Sequence, residues 1–156
     1  MKKNNFIFLL IFFISFCAPK APIEIQAGQE ECIHCKMKIV DLKFNTQVQT
    51  EKGKIYHFDS IECLVEWLNQ NPDQKIKNAW VKDYTTGEWI EYKNAVYFVS
   101  PEIPSPMGAN LSAFRKEEEI KKLNKQGDIY KLEELTNYLM SLRSEHHHEH
   151  EGHHHN

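Results

Sequence analysis

The sequence predicts an α+β protein built from two small units, in which a hairpin, a helix and a returning strand follow one another. Short stretches with strand-like alternation, bounded by turn residues, are interspersed with segments whose apolar residues recur at helical spacing. The 156 residues suffice for one ordinary core or for two small cores that share an interface. We expect the folded region to span residues 30–143, with halves of about 30–83 and 84–143.

The first half opens with a predicted hairpin. Residues 44–50 (FNTQVQT) alternate around Val48, residues 51–54 (EKGK) are typical of a turn, and residues 55–58 (IYHF) resume a strand. Residues 79–81 (AWV) are typical of a strand that returns to the same sheet, followed by a turn at 83–87.

A helix is predicted between the hairpin and the returning strand. Asp59 is the candidate N-cap, and Glu62, three residues later, completes a pattern like a capping box. The pair Asn71-Pro72 predicts where this helix ends. The apolar residues at helical spacing are Ile61, Leu64, Val65 and Leu68.

The second half repeats a similar order without clear sequence identity to the first. In chain order it predicts strands at 89–91 and 95–99, a proline-rich loop at 101–108, a charged helix at 117–125 and a short strand at 129–130. Gly127 stands where a helix C-terminal cap is common. A last amphipathic helix is predicted at 132–142, with one stripe formed by Leu132, Leu135, Leu139 and Leu142.

Residues 1–16 have the layout of a secretory signal peptide. A basic pair, Lys2 and Lys3, precedes the apolar run from Phe6 to Phe16, which is shorter than the roughly 20 residues a membrane span needs. Cys17 follows directly, where lipoprotein processing acylates a cysteine, although Phe16 is larger than the small residue usual before it. The alternative is an ordinary cleaved signal.

The mature protein is therefore expected outside the cytoplasm, and residues 17–29 are expected to be a flexible tether. Loss of residues 1–16 leaves 17 Lys and Arg against 22 Asp and Glu, a formal charge of −5. An acidic surface without a basic patch argues against nucleic acid as a partner.

The segment CIHCKM places two cysteines, Cys32 and Cys35, close enough to bind one ion or each other. In an exported protein this spacing fits a disulfide, a structural zinc site or a redox-active pair. Met37 favours a soft monovalent ion such as Cu(I), because a thioether is a poor zinc ligand. The alternative for Met37 is a core side chain that fills a packing gap.

Cys63 lies in the first turn of the predicted helix, where the helix dipole favours a thiolate. It completes a three-sulfur site if that helix end faces Cys32 and Cys35, and otherwise it is a small buried residue. His34 is expected to point away from the ion shared by the two cysteines, and His57 to lie on the surface of the hairpin.

Several separate segments, in the right order from Cys32 to Leu135, resemble the NosL family. They are Cys32-x-x-Cys35-x-Met37 with Ile39, KIYHFDSIEC from Lys54 to Cys63, Trp80-x-x-Asp83 with Thr86-Gly87-x-Trp89, Ala95-x-Tyr97, and Pro106-Met107-Gly108 before Ala113-Phe114. The resemblance implies two ββαβ-type halves related to the organomercurial lyase fold. It also implies a periplasmic lipoprotein that is not an enzyme but delivers Cu(I) to nitrous oxide reductase or another copper enzyme, at a membrane-bound maturation complex.

The resemblance also implies copper ligation at or near Cys32, Cys35 and Met37, and makes Met107 a thioether candidate from the second half. The alternative for Met107 is a loop residue packed on the interface. Lys36 departs from the family, which usually has glycine before the methionine, and a positive φ at this position would strain lysine.

Three other functions stay open at the sequence level. One is an organomercurial-lyase-like enzyme that uses a cysteine pair and an acid such as Asp59. Another is a thiol–disulfide protein, although such motifs normally open a helix after a strand, whereas this pair precedes a hairpin. The last is a purely structural zinc protein.

Residues 144–156 are predicted to be a histidine-rich tail. Imidazole-rich flexible segments bind Cu(II), Zn(II) or Ni(II) without fixed geometry, so the tail is either an auxiliary metal-collecting segment or a solvated coil. Seven of the nine histidines lie here: His146, His147, His148, His150, His153, His154 and His155.

Overall fold

A computed structural model describes the backbone of residues 21–151 and the side chains of residues 21–141. The predicted signal peptide, Cys17 and the side chains of the histidine tail lie outside the described residues. Among the described residues, no helix is both long and apolar enough to cross a membrane. The elements are β1 (Thr46–Thr50), β2 (Ile55–Phe58), α1 (Ile61–Gln70), β3 (Ile76–Lys82), β4 (Trp89–Glu91), a 3₁₀ turn (Tyr92–Asn94), β5 (Val96–Val99), β6 (Leu111–Phe114), α2 (Glu117–Lys122), β7 (Asp128–Tyr130) and α3 (Leu132–Glu151).

The first half is a ββαβ unit, as expected. Strands β1 and β2 form the predicted antiparallel hairpin, and β3 returns after α1 to pair with the other edge of β1. Strand β4 then pairs with β3, so the sheet order is β2-β1-β3-β4. Thus β4, which follows the expected boundary at residue 83, completes the first sheet.

The second half repeats the same topology with β5, β6, α2 and β7. Its sheet order, β6-β5-β7, places the first strand of the unit in the centre, as in the first sheet. Strand β6, with the sequence LSAF, was not predicted; it follows Asn110, which has a positive φ of 58°. The predicted α+β class with two ββαβ-type halves is confirmed.

Helix ends differ from the sequence predictions. The N-cap of α1 is Ser60, not Asp59, because the extended backbone of Ser60 directs its hydroxyl oxygen to accept the N–H of Cys63 at 3.3 Å. Helix α2 ends at Lys122, so Gly127 is not its cap. Helix α3 continues to Glu151, past the predicted end at residue 142.

One apolar core joins the two halves. In this core, side chains from the first sheet and α1 pack with side chains from the second sheet and α3, and a second, smaller cluster around Phe98 and Phe114 lies mainly in the second half. Removing this much apolar surface from water is the main favourable term in folding. The largest fully buried side chains of this core include Phe58, Ile61, Leu64, Tyr97, Leu111 and Leu135.

Residues from the expected tether are attached to the first sheet. The backbone N–H and C=O of Ile23 bond to the side chain of Gln47 at 2.9 and 3.0 Å. The carboxylate of Glu24 accepts bonds from the buried Lys82 ammonium at 2.8 Å and from the Trp89 indole at 2.6 Å. A flexible segment therefore does not extend through these two residues.

Candidate metal centre

The two cysteines of CIHCKM lie in a tight loop, residues 31–38, which we call the cysteine loop. Glu31 and Lys38 form a bridge at its base, and the N–H of Cys32 donates to the carbonyl of Met37 at 2.8 Å. The N–H of Lys36 donates back to the carbonyl of Cys32 at 3.0 Å. Closing the loop in this way brings both sulfurs to the same side.

Lys36 has the left-handed backbone conformation that the sequence analysis considered for this position. Its φ is 65°, a conformation that glycine adopts freely and lysine adopts at a cost. The Lys36 ammonium donates to the carbonyl of Ile33 at 2.7 Å, within the same loop. Lysine therefore occupies a left-handed position of this loop, where the resemblance leads one to expect glycine.

Two contacts fasten the cysteine loop to the first half. The N–H of Ile33 donates to the carbonyl of His57 on β2 at 3.0 Å. The His34 ring nitrogen lies 3.0 Å from a carboxylate oxygen of Glu66 on α1. His34 therefore has a partner on the helix, whereas the half-buried His57 ring bonds to Gln47 and not to the cysteines.

The fold brings Cys63 and Asp59 to the same place. The ligand atoms of Cys32, Cys35, Asp59 and Cys63 all lie within 4.8 Å of one another, and we call these four residues the Cys/Asp cluster. Cys32, Cys63 and Asp59 are buried, whereas Cys35 is partly exposed. The cluster therefore opens to solvent at Cys35, and it has a size that one metal ion can bridge.

The thiols of the cluster titrate differently. A hydrogen bond from the Cys63 thiol, assisted by backbone N–H groups including that of His34, lowers the pKa of Cys32 to about 6. Burial raises the pKa of Cys35 to about 11, and the neighbouring Cys32 adds to this effect. The hydrogen bond to Cys32, together with burial, raises the pKa of Cys63 above its ordinary value. At neutral pH the cluster therefore holds one thiolate, on Cys32, and two thiols.

Asp59 is the member that the sequence did not predict as a possible ligand. Its Oδ1 accepts a hydrogen bond from the Cys35 thiol at 3.5 Å, and its side chain is 3% exposed. The signal in the sequence was an acidic residue at a helix start, four positions before a cysteine, and it was interpreted as a cap or, in the lyase-like alternative, as an acid.

The two methionines predicted as ligands lie at the surface. The side chain of Met37 is 47% exposed and that of Met107 is 43% exposed, so neither is a core residue. Met37 lies near the end of the cysteine loop, and Met107 lies in the turn between Ser105 and Gly108. Both thioethers are accessible to an incoming ion or partner.

Comparison with known proteins agrees with this fold. The model of the NosL family matches residues 22–140, most of the chain. The crystal structure of the copper chaperone NosL from Shewanella denitrificans superposes with a TM-score of 0.62 at 20% identity, covering 74% of this chain and 96% of that one. At this identity the likeness shows a shared fold. No curated protein matches the sequence.

Proposed function

The chain belongs to the NosL family, and on this premise we propose that it is an exported copper chaperone that carries Cu(I) on sulfur ligands. Cys32, Cys35 and Cys63 are the candidate thiolate ligands and Met37 and Met107 the candidate thioether ligands, of which two or three bind the ion at any one time. The observation that carries the proposal is the convergence of three cysteine sulfurs within 4.8 Å of one another. Soft sulfur donors select Cu(I) over harder ions.

The arrangement suits a carrier because it combines one preformed ligand with an open side. The Cys32 thiolate is buried and ready to bind, so capture of Cu(I) begins without loss of a proton from that residue. Cys35, at the opening, is the second ligand to engage. A partner's sulfur ligand then enters a two- or three-coordinate Cu(I) centre from the same side before the first bond breaks.

The surface thioethers fit the release step. A neutral thioether holds Cu(I) less strongly than a thiolate, so Met37 and Met107 would assist the ion at the opening without trapping it. No covalent chemistry on the ion is needed, which agrees with a carrier rather than an enzyme.

We propose that Cys17 is acylated and holds the domain at the periplasmic side of a bacterial membrane. Several acyl chains on one lipoprotein anchor it well, whereas one chain does not. The proposed recipient is nitrous oxide reductase or its membrane maturation complex, by analogy with the family. The histidine tail, from His146 to His155, is proposed to collect metal near the main site.

A competition titration tests the copper proposal. The reduced full-length protein, purified in detergent, is titrated with Cu(I) against a chromophoric chelator, in parallel with the Cys32→Ser/Cys35→Ser variant. Cys17→Ser is the matched control, since it removes the fourth cysteine and leaves the cluster intact. We expect tight binding near one equivalent in wild type and control, and loss in the double variant.

Other outcomes lead back to the alternatives. Binding that is weak, or that the double variant retains, would refute the copper proposal. Tightly held Zn(II) with no uptake of Cu(I) would then identify a structural zinc protein, and a stable disulfide between Cys32 and Cys35 would identify a thiol–disulfide protein.

An organomercurial-lyase-like activity is the second candidate, because the Asp59 carboxylate lies beside the cysteines as that reaction requires. In such a reaction a cysteine pair binds mercury and an acid protonates the leaving carbon. Incubation of the protein with an organomercurial tests it, and absence of turnover would exclude this activity.

A further inference from the structure

The turn that carries Met107 is short and well defined. The N–H of Gly108 donates to the carbonyl of Ser105 at 3.0 Å, so Met107 is the third residue of a four-residue turn. Gly108 has a positive φ of 84°. With its side chain 43% exposed, Met107 has little packing of its own to fix its position.

One buried carboxylate contacts this turn at both ends. Glu62, in the first turn of α1, is 6% exposed and accepts a hydrogen bond from the hydroxyl of Ser105. The backbone N–H of Ala109, just after the turn, also interacts with this carboxylate. Glu62 therefore holds the Met107 turn against the helix end that presents Cys63.

Stability alone does not account for a carboxylate at this position. Its second oxygen, Oε2, is buried and has no hydrogen-bond partner among the described residues. Such a group costs free energy that an apolar residue of similar size would not. The contact also joins the two halves, since Glu62 and Ser105 are 43 positions apart.

We propose that Glu62 is a positioning residue that holds the Met107 thioether at the mouth of the Cys/Asp cluster. The proposal rests on the copper function proposed above, because it assigns how the second half reaches an ion bound by the first. Met107 is two positions after Ser105, so its Cα lies within about 7 Å of the Ser105 Cα. The hydrogen bond from Ser105 to Glu62 therefore anchors the turn close to Met107. Without that bond, the exposed side chain would sample positions from which it does not reach the ion.

A double-mutant cycle tests the proposal. Cu(I) affinity of the full-length protein in detergent is measured for Glu62→Ala, Met107→Leu and the combined variant. We expect each single variant to weaken binding by about tenfold, the effect of losing one weak ligand, and the combined variant to weaken it no further. Glu62→Gln, which keeps an oxygen that accepts the Ser105 hydroxyl, should restore most of the affinity. Glu118→Gln, an exposed change on α2, is the control.

A second readout reports on the thioether itself. In protein labelled with ¹³C at the methionine methyl groups, Cu(I) should shift the Met107 resonance in wild type and much less in Glu62→Ala. The Met140 methyl, exposed on α3, is an internal reference that should not move. If Glu62→Ala does not fold, Ser105→Ala removes the same bond and is judged by the same criteria.

The outcomes separate this proposal from the copper function. If wild type binds Cu(I) through its cysteines but Glu62→Ala weakens binding equally with and without Met107, the positioning role is refuted and the copper function stands. The positioning role is also refuted if Cu(I) shifts the Met107 resonance as much in Glu62→Ala as in wild type. If wild type takes up no Cu(I), both proposals fail together.

Discussion

The thiol of Cys35 donates a hydrogen bond to Oδ1 of Asp59 across 3.5 Å, and this contact joins the cysteine loop to the residue just before the N-cap of α1. The two residues are 24 positions apart in the chain. A carboxylate is thereby held beside the one cysteine of the cluster that solvent reaches. The negative charge of this carboxylate helps to raise the pKa of Cys35, which favours the thiol.

Replacement of Asp59 by Asn should make Cys35 more reactive. Burial is the main reason that the pKa of Cys35 is raised, but the negative charge of Asp59 contributes, so its removal lowers that pKa and increases the thiolate fraction. We expect alkylation of Cys35 by iodoacetamide, followed by peptide mass spectrometry, to accelerate several-fold at mildly alkaline pH. Asp73→Asn, on an exposed turn, should leave the rate unchanged, and a slower rate in Asp59→Asn would contradict the proposed electrostatics.

Cys32 should be the first thiol to ionise. Its pKa of about 6 lies well below the ordinary thiol value because the Cys63 thiol and nearby backbone N–H groups bond to its charged form. A pH titration followed by thiolate ultraviolet absorbance should show one step near this value, and Cys32→Ser should abolish it. Cys63→Ala should move the step upward, since the main stabilising bond is lost. A wild-type titration with no step below the ordinary thiol range would refute this assignment.

Cu(I) affinity should rise with pH. Raised pKa values keep Cys35 and Cys63 protonated at neutral pH, so binding through them must displace protons, and each displaced proton makes affinity rise by about tenfold per pH unit. Below about pH 6, Cys32 is protonated as well and the dependence becomes steeper. Proton release on Cu(I) addition in weak buffer measures the number displaced. Cys63→Ser should reduce it by one if Cys63 is a ligand, and an unchanged release would remove Cys63 from the ligand set.

Lys36→Gly should stabilise the protein. A non-glycine residue at φ 65° carries a cost of about 1 kcal/mol that glycine avoids, and the exposed bond from the lysine ammonium to Ile33 offsets only part of that gain. We expect a rise in Tm measured by circular dichroism. Lys38→Gly, on the same loop but without a positive φ, should lower Tm instead. Equal destabilisation by both changes would show that the backbone of Lys36 is unstrained.

Gly127→Ala should destabilise the second sheet. A Cβ at this position would overlap the carbonyl oxygen of Val99 and come within 2.7 Å of the Phe98 ring, so a loss of at least about 2 kcal/mol in the free energy of unfolding is expected. Chemical denaturation measures it. Gly87→Ala is the matched control, because nothing lies within 4 Å of its Cβ and only the cost of its φ of 72°, about 1 kcal/mol, applies.

The order of the elements followed from local patterns. The hairpin of β1 and β2, the helix α1 that ends just before Asn71, and the closing strand β7 were all predicted, because alternation, helical spacing and turn residues act over a few positions. The helix ends were predicted wrongly where neighbouring residues are equally suited to one role, because the sequence pattern alone does not distinguish them. Asp59 and Ser60 are both good N-caps, and backbone geometry selects Ser60.

Half of the Cys/Asp cluster could be read directly from the sequence. Only two residues separate Cys32 from Cys35, so their sulfurs can share a site whatever the rest of the chain does. The prediction that Cys63 joins the site depended on how α1 faces the cysteine loop. The sequence did not predict that the Asp59 carboxylate lies among the possible ligands. The sequence also left open whether Met37 was a core residue, and the structure places it at the surface.

By itself the sequence determined the α+β class, the membership in the NosL family and the pair of cysteines, because these depend on spacing along the chain. Only the tertiary structure decided which residues join that pair, how deeply each is buried and which thiol holds the charge. The pKa values of Cys32 and Cys35 depend on neighbours and solvent exclusion supplied by residues far away in the chain. The same holds for Glu24, which reaches Lys82 across 58 positions, and for Glu62, which reaches Ser105 in the other half. The contact between Glu62 and Ser105 forms only when the two halves pack together, and the others form only when distant segments of the first half have folded against one another.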